Sequence, residues 1–249
     1  MAVQVASTRA RCHLRLAVLG EFRVIDHHEE LHISGGSQRL LAFLALHTSW
    51  VKRALVAGTL WPDTSDGRAH ASLRSALSRM ETPIRNAVDV TPVQVRLADS
   101  VAVDLVNSRT LAQRLIIPRA VLDESDLGAA AIRALSLDLL PDWYDDWVLL
   151  EVEEWRQLRL HALEALAEQL VARRRFVDAA GAALAAVRAD PLRESPHATL
   201  IRVHLAEGNR SEALREFTRY KELLSAELAI TPSPAFRGLV SGIERCAKS

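Results

Sequence analysis

With 249 residues, 49% of them apolar and 25% charged, the chain has the make-up of a globular protein with room for one or two cores. Its 31 basic residues balance 31 acidic ones, which excludes a chain that is polybasic throughout. Two cysteines, Cys12 and Cys246, sit near opposite ends without CxxC spacing, so neither a disulfide framework nor a Cys-based zinc site is indicated. The N-terminal half leans basic, with 13 Lys and Arg against 10 Asp and Glu in residues 1–110, and favours that half as the one meeting an anion. Arg9, Arg11 and Arg15 interrupt any signal-peptide core. The apolar run Leu40 to Val51 is too short for a bilayer and contains His47. A cytoplasmic location with no membrane partner is therefore expected.

In chain order, residues 1–12 read as a disordered tail. Residues 14–19 and 22–25 are short β-leaning runs around Gly20, residues 26–30 a charged turn and residues 31–34 a third strand. Gly35-Gly36 closes this sheet, and Ser37 is expected to cap a helix reaching about Thr48, with Leu40, Leu41, Leu44 and Ala45 at helical spacing. A second helix spans about residues 52–60 with Leu55, Val56 and Leu60 inward, and Trp61-Pro62-Asp63 stops it. Thr64 to Gly67 turns the chain, with Asp66 as the next cap.

The stretch RAHASLRSALSRMETPI, residues 68–84, then reads as a helix with two unlike faces. At about 100° per residue, Ala69, Leu73, Ala76, Leu77, Met80 and Ile84 form an apolar stripe. Arg68, Ala71, Ser75, Ser78 and Arg79 fall on the far side, with Ser72 and Arg74 on the flanks. That outer face has no carboxylate before Glu81, whereas a solvated face usually mixes both signs. Arginines and short hydroxyl side chains on a narrow helix are what major-groove contact needs. An ordinary amphipathic helix with surface arginines is the competing reading, and Glu81-Thr82-Pro83 is expected to end or kink the helix early. Residues 88–90, 93–97 and 101–103 read as strands, the last two joined by Ala98-Asp99-Ser100 as a hairpin. Strands, two helices, a turn, an amphipathic helix and a hairpin make an α+β winged helix, whose last helix reads DNA and whose wing touches backbone or minor groove.

Beyond residue 105 the pattern is helical, with a long helix over 147–171. Shifting the chain by 34 residues aligns Leu166 with Leu200, Ala172 with Ala206 and Ala179 with Ala213. It also aligns the helices 177–189 and 211–228 as second members of two pairs. That period and the alanines after each turn are the tetratricopeptide pattern, an all-α stack that binds proteins rather than doing chemistry. A last helix, 235–246, would cap it. The expected division is a tail, 1–12, a winged helix, 13–106, and a tetratricopeptide-like domain, 107–249.

Signals for an enzyme are weak. His28-Glu29-Glu30-Leu31-His32 matches H-E-x-x-H, but zinc-protease chemistry needs both histidines one turn apart on a helix, and the flanks read as strand and glycine. No phosphate-cradling glycine loop and no nucleophile elbow occur. Asp142, Asp145 and Asp146 among Trp143, Tyr144 and Trp147 could hold a cation, but a helix start with packed tryptophans explains them better. No cofactor, metal or catalytic residue is expected.

Several stretches together resemble the Streptomyces antibiotic regulatory protein type of transcriptional regulator. They are LAVLGEFRV, GSQRLLAFLALH, VAGTLWPD and RAHASLRSALSRM in the first part. In the second they are LLPDWYDDWVLLE, ADPLRESPHATLIRVHLAEGNRSEALREF and ELAITPSP. The resemblance runs over about residues 14–245. It implies a winged helix joined to a bacterial transcriptional activation domain, sequence-specific binding to double-stranded DNA at promoters, and recruitment of RNA polymerase. Larger members add an ATPase domain, and the chain is expected to stop before one. Ser78 stands where related helices often carry an aromatic residue, and ELAI stands where ELG is usual.

The expected function is thus a bacterial transcriptional activator. Arg68, Ser72, Arg74, Ser75, Ser78 and Arg79 would meet bases or phosphates, and Arg96 on the wing would meet a further phosphate. Few cations per copy suggest self-association on adjacent sites. The alternative is a helical scaffold for a protein partner, with a degenerate winged helix.

Overall fold

Alternation in LRLA buries Leu14 and Leu16 and leaves Arg15 outside, which makes residues Leu14–Ala17 strand β1. These are the first residues that the structure, a computed structural model, describes; the described part is residues 14–242. The expected tail and both cysteines lie outside it. Two compact units emerge, one of residues 1–107 with 139–152, the other of residues 108–138 with 153–249.

In the first unit β1 pairs antiparallel with β2 (Arg23–Asp26), and β2 pairs antiparallel with β3 (Glu29–Glu30). The third strand is therefore two residues long and earlier than the expected 31–34. The chain leaves it after Leu31, whose amide still reaches the Val24 carbonyl. The H-E-x-x-H stretch thus lies on a turn and a strand, the wrong scaffold for paired histidine ligands.

Helix α1 (Gly35–Leu46) buries Leu40, Leu41 and Leu44. Ser34, not Ser37, holds its N-cap position. Ser37 is buried one turn in, and its hydroxyl donates to the Ala76 carbonyl at 3.0 Å. Strand β4 (Val51–Lys52) leads into helix α2 (Arg53–Leu60), which turns Val56, Ala57 and Leu60 inward. Leu55, expected inside, faces solvent. Helix α3 (Asp66–Ser78) follows with Ser65, rather than Asp66, at the N-cap position.

The expected hairpin needs correction. Strand β5 (Val88–Val90) pairs antiparallel with β6 (Gln94–Leu97) across the turn Thr91-Pro92-Val93, and β4 lies on the other side of β6. Strand β7 (Ala102–Val103), expected to pair with residues 93–97, instead runs parallel to β1 and completes the order β3-β2-β1-β7. Asp104 fixes that return, accepting from the amides of Val18, Leu19 and Leu105. Burial pushes its carboxyl up, and those three amides hold it partly back.

The first unit also takes in residues 139–152, which the expected boundary at residue 106 leaves out. Leu139 bridges Leu19, the Leu140 amide donates to Val18, and Trp143 and Trp147 pack on Phe22 and Phe43. The acidic cluster flanks the start of the long helix, and Asp145 is ion-paired to Arg39.

The helical unit is built from α4 (Asp104–Ile116, whose first turn belongs to the first unit), α5 (Ala129–Ser136), α6 (Asp146–Ala172), α7 (Phe176–Ala189), α8 (Glu194–Glu207), α9 (Arg210–Leu228) and α10 (Pro234–Gly238). α6 likewise contributes its residues from Glu153 onward. Here α7 packs on α8 and α8 on α9, and the period-34 positions Ala179 and Ala213 are both fully buried, as close helix pairing requires. Gly208 takes the left-handed conformation, φ 91°, that ends α8, with the Asn209 amide reaching back to the His204 carbonyl. Within the last expected helix, 235–246, α10 ends at Gly238, a turn follows and residues 241–242 are helical again; residues 243–249 lie outside the described part.

One polar hub sits inside this unit. His197 is wholly buried between the Glu216 carboxylate, 2.5 Å from Nδ1, and the Pro191 carbonyl, 2.8 Å from Nε2, and stacks on Tyr220. Neither partner can donate beyond a carboxyl proton, so an ionised Glu216 calls for N–H groups on both ring nitrogens. Burial works against the Glu216 charge, but the bond from His197 and the nearby Arg219 cation win, and its carboxyl is lowered.

Candidate nucleic-acid interface

The amphipathic segment is a helix only to Ser78. Arg79 is its C-cap, and Met80 and Ile84 extend the buried stripe from the connecting segment and a short 310 turn (Ile84–Ala87). Arg85 closes the end by donating to the Ser78 and Met80 carbonyls at 3.0 and 3.1 Å. A cation on exposed C-terminal carbonyls complements the helix dipole. The helix is anchored from beneath by Ala69, Leu73 and Ala76, all buried, and by Ser37 on α1.

The outer surface carries the expected residues. Arg68, Arg74, Ser78 and Arg79 are exposed, and Ser72 and Ser75 are half-buried at the margins. By angle, positions 68, 75, 78 and 79 lie on the outer side of the helix, with 72 and 74 on its two opposite flanks. Among the described residues, no hydrogen bond or ion pair engages the side chains of Arg68, Arg74 or Arg79. Ser78 spends its hydroxyl hydrogen on the Ser75 carbonyl at 3.0 Å, so its oxygen faces out as an acceptor. Six residues of the expected set thus line the solvent side of the helix, from one flank to the other.

Arg96 does not join them. Its guanidinium is held by Asp99 at 2.8 and 3.0 Å and by Asp89 at 3.2 Å, and it lies 4.9 Å from the centre of the Trp50 ring. Two carboxylates neutralise it, and it braces the β5–β6 hairpin instead of standing open like the α3 arginines.

Sequence reasoning passed over a cleft beside this face. Its volume is about 650 Å³, and it is lined by Lys52, Arg53 and Ala54 at the start of α2, His70 and Arg74 on α3, and Pro92, Val93 and Gln94 of the wing. No carboxylate lines it. Arg53 ties the wing turn down, its amide donating to Val93 at 2.9 Å and its guanidinium to Thr91 at 3.3 Å. Thr91 accepts the Gln94 amide at 2.9 Å and stiffens the same turn. His70 and Arg74 are one helical turn apart, a spacing legible in the sequence. Their approach to Lys52 depends on the hairpin pairing.

Residues 125–244 match the family "Bacterial transcriptional activator domain". Regulatory protein AfsR of Streptomyces coelicolor is 28% identical over 240 residues, covering 91% of this chain and 24% of that protein. The solved structure of Mycobacterium tuberculosis EmbR in complex with a low affinity phosphopeptide superposes with a TM-score of 0.69 at 21% identity, covering 94% of this chain and 65% of that one. At that identity the likeness speaks for the fold. The chain spans about a quarter of the length of its curated relative. No helix among the described residues is long and apolar enough to cross a membrane. A winged-helix unit followed in the chain by a match to the bacterial transcriptional activator domain, together with 28% identity to a Streptomyces regulatory protein, is what this chain has in common with known transcriptional regulators.

Proposed function

We propose that this chain binds promoter DNA sequence-specifically through α3 and acts as a transcriptional activator through its helical unit. The observation that carries the reading is the outer face of α3: three exposed arginines without acidic partners, interleaved with small hydroxyl side chains. Unpaired cations on a narrow helix mounted from below suit major-groove entry. Arg68, Arg74 and Arg79 supply bidentate donors for guanine edges or phosphates, and the three serines let the helix approach closely. Three free arginines are few for tight binding by one copy, so two copies on adjacent sites follow, with the helical unit contacting RNA polymerase or the second copy. The family to which the curated relative's name points is one of regulators, not an enzyme class.

The test is fluorescence anisotropy of the full chain with DNA selected from a random pool, against scrambled competitor at two salt concentrations. Selective binding that weakens with salt and drops at least tenfold in Arg74→Ala/Arg79→Ala is the expected result. Selection that enriches no sequence would overturn it and leave the helical unit as a protein-binding scaffold.

A further inference from the structure

The cleft beneath the wing has a composition that α3's outer face does not explain. Lys52, His70 and Arg74 converge on it from two elements without a facing carboxylate, and the rim formed by Pro92 and Val93 is apolar. Val93 is 68% exposed although its turn is fixed by Arg53 and Thr91, so an apolar side chain is held out into solvent by a rigid support. The wing itself brings no free cation, because Arg96 is spent on Asp89 and Asp99. Positive charge therefore lies under the wing rather than on it.

We infer that this cleft seats one phosphodiester of the DNA backbone, the Lys52 ammonium, His70 and Arg74 holding the phosphate while Pro92 and Val93 pack on its deoxyribose. The inference rests on the DNA-binding reading and deepens it. The imidazole of His70 is oriented to take part. Its Nδ1 lies 2.8 Å from the Asp66 carbonyl, which can only accept, so Nδ1 carries hydrogen and Nε2 is left for a ligand; it donates to a phosphate oxygen when it carries hydrogen too, a form that a neighbouring phosphate charge favours. A phosphodiester supplies what the cleft lacks, one negative charge beside an apolar sugar. A wing bearing Pro and Val in place of arginine does not sense the narrow, electronegative minor groove of A-tracts. The contact through Lys52 and His70 fixes register and adds affinity without choosing bases.

The experiment uses the full chain and its selected operator, with Lys52→Ala/His70→Gln beside wild type. Both positions lie outside the apolar core, and circular dichroism confirms the fold. The logarithmic salt slope should fall by about 1, so the affinity lost between 50 and 200 mM salt shrinks by about threefold, while the preference over scrambled DNA stays unchanged. A methylphosphonate scan of the operator should find one position whose neutralisation weakens wild type clearly more than the double variant, which keeps only Arg74 on that phosphate. If the operator is bound selectively and the variant keeps the full slope and every methylphosphonate sensitivity, the phosphate seat is wrong and the α3 reading stands. If no operator can be selected, both fall together. A variant that changes base preference would make the cleft a reading site and likewise overturn the proposal.

Discussion

Three arginines stand open close together on α3, whereas a set of arginines in the helical unit is tied into ion pairs. In the helical unit Arg156 pairs with Glu153 and Asp190, Arg159 with Asp138, Arg175 with Asp178 and Glu124, Arg193 with Glu164, and Arg215 with Glu212. On α3, Arg68, Arg74 and Arg79 have no such partner among the described residues. The same side chain thus serves internal neutralisation in that set and stands open in the α3 cluster. Open cations side by side repel one another weakly in water, and an external polyanion relieves that cost. Arg96 shows that the distinction is local, since within the first unit it follows the paired pattern and braces the hairpin.

The contrast can be tested from both ends. The largest effect belongs to the buried hub. His197→Ala removes the hydrogen-bonded partner of the buried Glu216 carboxylate, leaving it the exposed Arg219 at 3.7 Å, and should destabilise the helical unit by about 3 kcal/mol, read as a lower urea midpoint. Operator preference per folded molecule should survive, because α3 is untouched; loss of preference without loss of stability would argue against the division of labour. Next comes the open end, where Arg74→Ala should lower operator affinity by roughly 1–3 kcal/mol while the urea midpoint stays put. An equal fall in stability would mean that the residue was structural.

Acidity sharpens the picture of the hub. The Glu216 carboxyl is lowered, so the stability it contributes is present above the ordinary carboxylate range and is lost as pH falls through the folded-state value. Wild type should therefore lose urea resistance on acidification more steeply than Glu216→Gln, and parallel curves would remove the hub from the account. The smallest effects belong to exposed pairs. Arg215→Ala should cost about 0.5 kcal/mol or less, because that side chain is 74% exposed. Arg96→Ala should leave the salt slope of DNA binding unchanged; a slope reduced by about 1 would restore it as a phosphate contact.

Much of the site was legible because helical periodicity is local. The residues of 68–84 separate into a buried and an open face by angle alone, and proline at 83 with the charged Glu81 announced an end before Ile84. The repeat of α7 and α9 was legible for a similar reason, since Ala179 and Ala213 occupy equivalent turns. Strand partners were not. The runs 88–90, 93–97 and 101–103 carry similar β-formers, and either loop between them is of hairpin length, so local sequence could not choose. The choice was made by β7 docking parallel to β1 and by Asp104 accepting amides from residues more than 80 positions earlier.

The sequence by itself thus determined the two kinds of domain, the order of their helices, and the charge of the α3 face, because each follows from spacing within one element. Only the tertiary structure decided which strands form the wing, that residues 139–152 return to the first unit, that Arg96 is spent internally, and that Lys52 meets His70 and Arg74 around a cleft. Those facts depend on contacts between segments distant in sequence. Such contacts are selected by burial of apolar surface and by pairing of polar groups, and neither leaves a periodic trace along the chain.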